Sequence, residues 1–146
     1  MAAACTSCGQ ENPDGFRFCG ACGAPLVAQA SVHEQRKVLT FLFCDVVGST
    51  ALGERLDPEA LRHVMRRYFD EISAIVGRHG GTVEKFIGDA VMAVFGLPQV
   101  REDDALRAVR AAIQIRKRLP VVAGELGVAL TFRTGINTGE VVVGAG

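Results

Sequence analysis

The chain has no excess of charge of either sign, because 16 lysines and arginines balance 16 aspartates and glutamates. Without a basic surplus it lacks the electrostatic footprint of a protein that binds nucleic acid or an anionic membrane surface. It also lacks an apolar run of the ~20 residues that a membrane helix needs, since the longest, Val38 to Val47, is interrupted by Asp45. These absences predict no nucleic-acid partner, no membrane span and a cytoplasmic location.

Two common signatures of nucleotide-binding folds are missing as well. The chain has no Gly-x4-Gly-Lys-Ser/Thr sequence, which excludes a P-loop, and no Gly-x-Gly-x2-Gly sequence, which excludes the usual dinucleotide-binding turn. What the chain does have is 49% hydrophobic residues over 146 positions, enough for one sizeable core. The length predicts one domain with a small appendage.

Residues 1–26 form that appendage, with four cysteines and too few large apolar residues for a core. The cysteines make two Cys-x2-Cys pairs, each followed by glycine: Cys5, Cys8, Cys19 and Cys22. Two thiolates from such a turn reach one ion, and the glycine permits the tight backbone. We predict a zinc ribbon with a structural Zn²⁺, whose usual role would be regulation or contact with a protein partner. Two disulfides are the alternative, and they suit a secreted protein better.

Residues 27–35 are small and polar and predict a linker, so that a second domain covers residues 36–146. The predicted strands are Lys37 to Cys44, Thr82 to Phe86, Ala90 to Phe95, Val128 to Ile136 and Glu140 to Val143, the last two separated by a turn at residues 137–139. One predicted helix starts at Asp57-Pro58 and ends near Gly80, and another follows Glu102 and is stopped by Pro120. The order β-α-β-β-α-β-β predicts an α+β fold, a ferredoxin-like antiparallel sheet covered by helices.

Helical spacing assigns an inner face to each predicted helix. In the first helix the apolar residues are Leu61, Val64, Met65, Tyr68, Ile72, Ile75 and Val76. In the second helix the inner face is predicted to be Ala105, Leu106, Val109, Ala112, Ile113 and Leu119. Cys44, within an apolar strand, is predicted to be a buried small side chain and not a nucleophile.

Two aspartates carry the chemistry, because each follows an apolar strand at a glycine-marked turn. Asp45 and Asp89 can together hold one or two Mg²⁺ or Mn²⁺ ions, which take oxygen ligands and leave positions open for phosphate oxygens. The backbone of residues 46–50 can cradle a triphosphate beside them. The alternative is structural, with Asp45 capping a turn and Asp89 making a hairpin bend.

Three long motifs in the same order resemble the bacterial class III adenylate/guanylate cyclase domain: Phe43 to Thr50, Glu84 to Gly96 and Arg133 to Val142. The resemblance runs from about Arg36 to the end and covers the larger, N-terminal part of such a domain. It implies that Asp45 and Asp89, with the backbone of Val46, bind two metal ions. It also implies nucleotide contacts by the backbone of Val46, Gly48, Ser49 and Thr50 and by Arg133, although a solvated strand arginine is the alternative for Arg133.

Lys85 matches the position at which this family reads the purine. Adenylate-forming members carry lysine there and guanylate-forming members carry glutamate. A lysine can donate a hydrogen bond to the adenine N1 acceptor, whereas guanine presents an N1–H donor. Lys85 therefore favours ATP, with a solvent-facing strand lysine as the alternative.

The resemblance implies conversion of ATP to 3′,5′-cyclic AMP and pyrophosphate for signal transduction, in sites between two head-to-tail copies of the chain. Metal-binding aspartates would come from one copy and Lys85 from the other. The family's second purine-reading residue and its asparagine/arginine pair have no matching positions in the sequence, which predicts a truncated and inactive fragment. The alternative is a non-catalytic cyclase-like module for regulation or dimerisation, with the ribbon as an interaction domain.

Overall fold

The computed structural model describes residues 3–26 and 35–144. These residues fall into two compact units, one containing residues 3–26 and the other Gln35–Val143. The predicted linker over residues 27–35 lies outside the described residues apart from Gln35, which is the first residue of a strand.

The first unit is built from two turns that repeat the same geometry. Strands β1 (Ala3–Ala4) and β2 (Glu11–Asn12) pair antiparallel before and after the first turn. Gly9 donates its N–H to the Cys5 carbonyl at 2.8 Å, and Gly23 donates to the Cys19 carbonyl at 2.9 Å. Both glycines have left-handed φ values, 75° and 71°, which explains why glycine follows each cysteine pair.

The second unit is a four-stranded antiparallel sheet with three helices. Its elements are β3 (Gln35–Val47), α1 (Ser49–Arg55), α2 (Pro58–Arg78), β4 (Thr82–Ile87), β5 (Ala90–Phe95), α3 (Asp104–Glu125) and β6 (Thr131–Val143). The strand order across the sheet is β4-β5-β3-β6. This architecture confirms the predicted α+β class with an antiparallel sheet. The short helix α1, which the sequence did not resolve as a separate element, changes the order to β-α-α-β-β-α-β.

Helices α2 and α3 bury one face of the sheet. The core cluster draws on both helices and on the two central strands: Leu42, Cys44, Val46, Tyr68, Ile72, Ile75, Val76, Val91, Ala93, Phe95, Ala108, Ala111, Ile115 and Leu119. Cys44 is fully buried, as predicted. Helix α2 begins as predicted, since the Asp57 carboxylate accepts hydrogen bonds from the N–H groups of Glu59 and Ala60 and Pro58 follows this cap.

The prediction that Pro120 ends the second helix is wrong, because α3 continues to Glu125. Proline in a helix interior removes one hydrogen bond and crowds the preceding turn, at a cost of about 3 kcal/mol. Leu119, Val122 and Ala123 are buried around it, and this apolar burial offsets the cost. The local penalty of the proline is therefore outweighed by packing on both sides of it.

The predicted inner face of that helix is also wrong for most of its residues. Leu106, Val109 and Ile113 are 49%, 42% and 51% exposed, and the buried residues on α3 are Asp104, Ala108, Ala111, Ile115, Leu119, Val122 and Ala123. Alanines at the contact let the helix backbone approach the sheet closely. In the first half of the helix the larger apolar side chains, Leu106, Val109 and Ile113, fall on the outer side, which periodicity alone did not separate from the inner side.

The two predicted C-terminal strands are one continuous strand. Strand β6 pairs with β3 over thirteen consecutive residues, and the predicted turn at residues 137–139 lies within this ladder. Inside it, the hydroxyls of Thr40 and Thr138 are hydrogen-bonded at 2.8 Å. Pairing along the whole of β3 overrides the turn preference of the Asn-Thr-Gly sequence.

Candidate active site on the open face of the sheet

The face of the sheet turned away from α2 and α3 carries Phe43, Asp45, Lys85, Met92 and Arg133, and we call it the open face. The register fixes this placement, because Met92 lies opposite both Lys85 and Phe43, and Asp45 lies opposite Arg133. Directly opposed residues of antiparallel strands share a face, and neighbours along a strand alternate. The chemistry-bearing residues predicted on three separate strands therefore share one surface.

Asp45 lies inside β3, two residues before the strand ends at Val47, and not at the strand terminus as the sequence predicted. Asp89 lies in the tight hairpin between β4 and β5, where Gly88 adopts a left-handed φ of 63°. Because Cys44 pairs with Val91, the hairpin comes level with Asp45. Both aspartates are partly buried. The two acids are therefore brought to the same end of the sheet.

Tyr68 of α2 lies beneath this end of the sheet, and its pKa is affected by both acids. Burial raises the pKa of Tyr68 above its ordinary value, and the charges of Cys44, Asp45 and Asp89 raise that pKa further. The Tyr68 hydroxyl donates to Cys44 Sγ at 3.6 Å, and its ring stacks on Phe132 with centroids 5.5 Å apart. The sequence analysis placed Tyr68 only on the apolar face of a helix. Its being the only tyrosine of the chain was the one signal that could have singled it out.

The turn after β3, where the sequence predicts a phosphate-binding segment, leads directly into a short helix. Gly48 adopts a left-handed conformation with φ 77° and ψ 26°, and α1 follows at once from Ser49. No side chain caps this helix start, so its first N–H groups have no side-chain acceptor there. A Cβ at position 48 would meet no atom within 4 Å. Glycine is therefore favoured here because of its left-handed φ and not because of a close contact.

Arg133 is the site residue with the most definite contact. Its Nη2 lies 2.5 Å from Asp45 Oδ2, in an ion pair whose side chains are 73% and 30% exposed respectively. Lys85, in contrast, is exposed and has no ion pair within residues 3–26 and 35–144. The structure therefore places Arg133 on a predicted metal ligand and leaves Lys85 available to another molecule.

The carboxylates fit a hard divalent cation on their donor chemistry. Asp45 and Asp89 offer partly exposed oxygen atoms at one end of the sheet, and oxygen is the ligand that Mg²⁺ and Mn²⁺ take. The Arg133 guanidinium donates a hydrogen bond to Asp45 Oδ2, so this oxygen is accessible to a cation. The donor set is therefore suited to the divalent ions expected from the sequence.

The cysteines of the first unit fit a single tetrahedral ion. Their four Sγ atoms all lie within 4.8 Å of one another, and the Cys5–Cys22 and Cys8–Cys19 pairs are each 3.6 Å apart. A zinc ion with bonds of 2.3 Å to four sulfurs requires sulfurs about 3.8 Å apart. All five cysteines of the chain are free thiols, so the alternative of two disulfides is not what the structure contains.

Backbone and side-chain donors surround the sulfur atoms. Hydrogen bonds from the backbone at Cys22 and Ala21 lower the pKa of Cys19 to about 6, which favours the thiolate that metals bind. Asn12 donates to Cys19 Sγ at 3.6 Å and accepts from the Gly20 N–H at 2.9 Å. The sequence gave no reason to select Asn12, because only the folded turn brings it to the sulfur.

Comparison with known proteins shows which families these units belong to. Residues 31–145 match the adenylate and guanylate cyclase catalytic domain, and residues 5–26 match a zinc-ribbon domain. The chain therefore belongs to the adenylate and guanylate cyclase family and carries an N-terminal zinc ribbon. Within the described residues, no helix is long and apolar enough to cross a membrane.

Individual relatives include cyclases of both nucleotides. Adenylate cyclase 1 of Rhizobium meliloti is 34% identical over 114 residues, which are 75% of this chain and 17% of that protein. The adenylyl cyclase CyaB from P. aeruginosa is 40% identical with a TM-score of 0.74, over 77% of this chain and 61% of that one. The guanylyl cyclase Cya2 is 38% identical with a TM-score of 0.72, over 76% and 58%. The chain thus spans about a sixth of that curated relative and about three fifths of these solved chains.

Proposed function

We propose that residues 35–144 belong to an adenylate cyclase that converts ATP to 3′,5′-cyclic AMP and pyrophosphate. The observation that carries the proposal is the meeting of Asp45, the Asp89 hairpin and the Gly48 turn at one end of the sheet. Two carboxylates beside a turn that opens a helix without a side-chain cap suit a nucleoside triphosphate with its divalent ions. Similarity to both adenylyl and guanylyl cyclases supports the reaction class, and Lys85 supports the choice of ATP.

In this proposal each residue has a separate task. Asp45 and Asp89, with the Val46 carbonyl, hold two Mg²⁺ or Mn²⁺ ions, which would supply Lewis-acid activation of the ribose 3′-hydroxyl and charge neutralisation at the phosphates. The N–H groups of residues 48–50 and the Arg133 guanidinium orient the triphosphate. Because all of these groups act on charge and position, catalysis rests on preorganised electrostatics.

Lys85 would act on the base bound by a second copy of the chain. Its exposed ammonium, without a carboxylate partner in the described part of the protein, can donate to adenine N1. A head-to-tail homodimer that closes over the open face would bring Lys85 of one copy to the nucleotide of the other. Phe43, 42% exposed at the centre of this face, supports such a partner.

In the ribbon, we propose one structural Zn²⁺ on Cys5, Cys8, Cys19 and Cys22. Four thiolates complete a tetrahedral shell and leave no position for substrate. The ion would then stabilise the fold of the small unit. A regulatory protein contact is the role we propose for that unit.

Metal-dependent nucleotide binding tests the proposal. Calorimetry with ATP and Mn²⁺ on the 146-residue chain should show binding that Asp89→Asn abolishes and that Asp70→Asn, at an exposed position on α2, leaves unchanged. Cyclic AMP measured in the same samples distinguishes the two function classes. Cyclic AMP formation, either by this chain or by a version extended through a complete cyclase domain, supports the enzyme, whereas ATP binding without turnover in both supports the regulatory module. Absence of metal-dependent binding would contradict both.

A further inference from the structure

Arg133 contacts a carboxylate oxygen that could otherwise bind a divalent ion. Its Nη2 is 2.5 Å from Asp45 Oδ2, one of the two oxygens that this carboxylate can offer to a metal. The contact is built into the sheet, because Asp45 and Arg133 are directly opposed in the ladder between β3 and β6. The backbone therefore keeps a permanently charged side chain within reach of the aspartate.

The exposure of the two partners makes the contact reversible. The Arg133 side chain is 73% exposed and that of Asp45 is 30% exposed, so water screens the pair and either partner can be solvated when it opens. A guanidinium also binds phosphate oxygens as well as it binds carboxylates, often through two parallel hydrogen bonds. An exposed arginine at this position can exchange a carboxylate for a phosphate without crossing the core.

We propose that Arg133 is a resident counter-ion of Asp45, which competes with the divalent ion and is released by the triphosphate. Resting on the function proposed above, this inference concerns the order in which the ligands bind. Without nucleotide, Arg133 neutralises Asp45 and weakens metal binding there. With nucleotide, Arg133 moves to the phosphates and Asp45 becomes available to the metal.

The exchange couples the two ligands. The metal ion displaces Arg133 from Asp45, and the triphosphate offers Arg133 another partner. Each of these two ligands therefore favours the binding of the other, and such coupling is reciprocal. Departure of the phosphates would return Arg133 to Asp45 and promote metal release. Asp89 has no ion pair in the described ranges, so Arg133 competes with the metal ion only at Asp45.

Mn²⁺ binding without nucleotide, followed by electron paramagnetic resonance on the zinc-loaded chain, tests the inference. Arg133→Gln should bind Mn²⁺ about twofold to fivefold more tightly than the unchanged chain, the size expected for the loss of a solvent-exposed ion pair. The matched control is Arg36→Gln, because Arg36 lies on the same strand pair in an exposed ion pair with Glu140 at 2.8 Å. This control should leave Mn²⁺ affinity unchanged.

The outcomes separate this inference from the proposed function. If Arg133→Gln binds Mn²⁺ no more tightly than the unchanged chain while Asp45→Asn abolishes binding, the proposed metal site is supported and the counter-ion role of Arg133 is refuted. If Mn²⁺ binding survives Asp45→Asn, or if no variant binds Mn²⁺, the proposed metal site fails and the counter-ion with it. Equal tightening by Arg36→Gln would show a general charge effect and would also overturn the inference.

Discussion

The hydroxyl of Tyr68 donates a hydrogen bond to the sulfur of Cys44, at 3.6 Å, directly beneath the candidate site. Both side chains are almost completely buried, and Asp45 follows Cys44 in the strand. This contact ties the central turn of α2 to the strand that presents the first acid. The packing of the helix layer and the geometry of the site are therefore linked through one residue pair.

Tyr68→Phe should lower the free energy of unfolding by about 1 kcal/mol, because it removes one buried hydrogen bond and keeps the ring. Tyr68→Ala should cost about 3–5 kcal/mol, because it also removes the ring stacked on Phe132 and leaves a cavity. Urea unfolding of the three proteins measures both values. Equal losses for the two variants would contradict the separate roles of hydroxyl and ring.

Arg107 holds the start of α3 to the end of α2, and its loss should be costly. Its guanidinium pairs with the buried Asp104 and donates to the carbonyls of His79 and Gly80. Arg107→Ala leaves the Asp104 charge buried without its partner, which should cost about 3–5 kcal/mol. Denaturant unfolding checks this against Arg110→Ala, an exposed arginine of the same helix that should change little. Similar small losses in both variants would show that the pair is not structurally important.

Two glycines close together in the chain should respond to alanine in opposite directions. A Cβ at Gly81 would lie 2.6 Å from the Phe95 ring, whereas one at Gly77, in the last turns of α2, would meet nothing within 4 Å. Gly81→Ala should therefore destabilise by about 1–3 kcal/mol through overpacking. Gly77→Ala should stabilise by up to about 1 kcal/mol through helix propensity. Thermal unfolding measures both, and an unchanged or raised midpoint for Gly81→Ala would contradict the packing at Phe95.

Zinc should be bound only through the ribbon cysteines. The purified chain should contain about one zinc ion, and Cys8→Ser should lose it, since one of four thiolates is then missing. Cys44→Ala is the matched control, because Cys44 is a thiol of the other unit and lies outside the four-cysteine cluster. Elemental analysis checks the stoichiometry, and zinc retention by Cys8→Ser would contradict the four-thiolate site. Removal of the zinc with a chelator should unfold residues 3–26 and leave the thermal transition of the cyclase unit in place.

The sequence predicted the elements that have strong local signals. The Asp57 cap, the Pro58 start of α2 and the hairpin at Gly88 were all recognisable, because capping and turn chemistry are local. The extent of β6 and the continuation of α3 past Pro120 were not predictable in the same way. In both, distant packing overrode a local preference for a turn or a helix end.

The same distinction applies to the candidate site. Asp45 and Asp89 were recognisable because each follows an apolar strand at a glycine-marked turn, and Lys85 was identified through the resemblance to the cyclase family. The contacts of Arg133 with Asp45 and of Tyr68 with Cys44 join residues 88 and 24 positions apart. Such pairs depend on strand register and on helix docking, which a single sequence does not specify.

Competitive binding of ATP and GTP in the presence of Mn²⁺ measures which nucleotide the candidate site prefers. The unchanged chain should bind ATP more tightly, and Lys85→Glu should reverse the preference, because glutamate accepts from guanine N1–H and repels adenine N1. Lys117→Glu, on α3, makes the same charge change outside the open face and should leave the preference for ATP as it was. A preference for GTP in the unchanged chain, or the same preference before and after Lys85→Glu, would contradict the assignment as an adenylate cyclase.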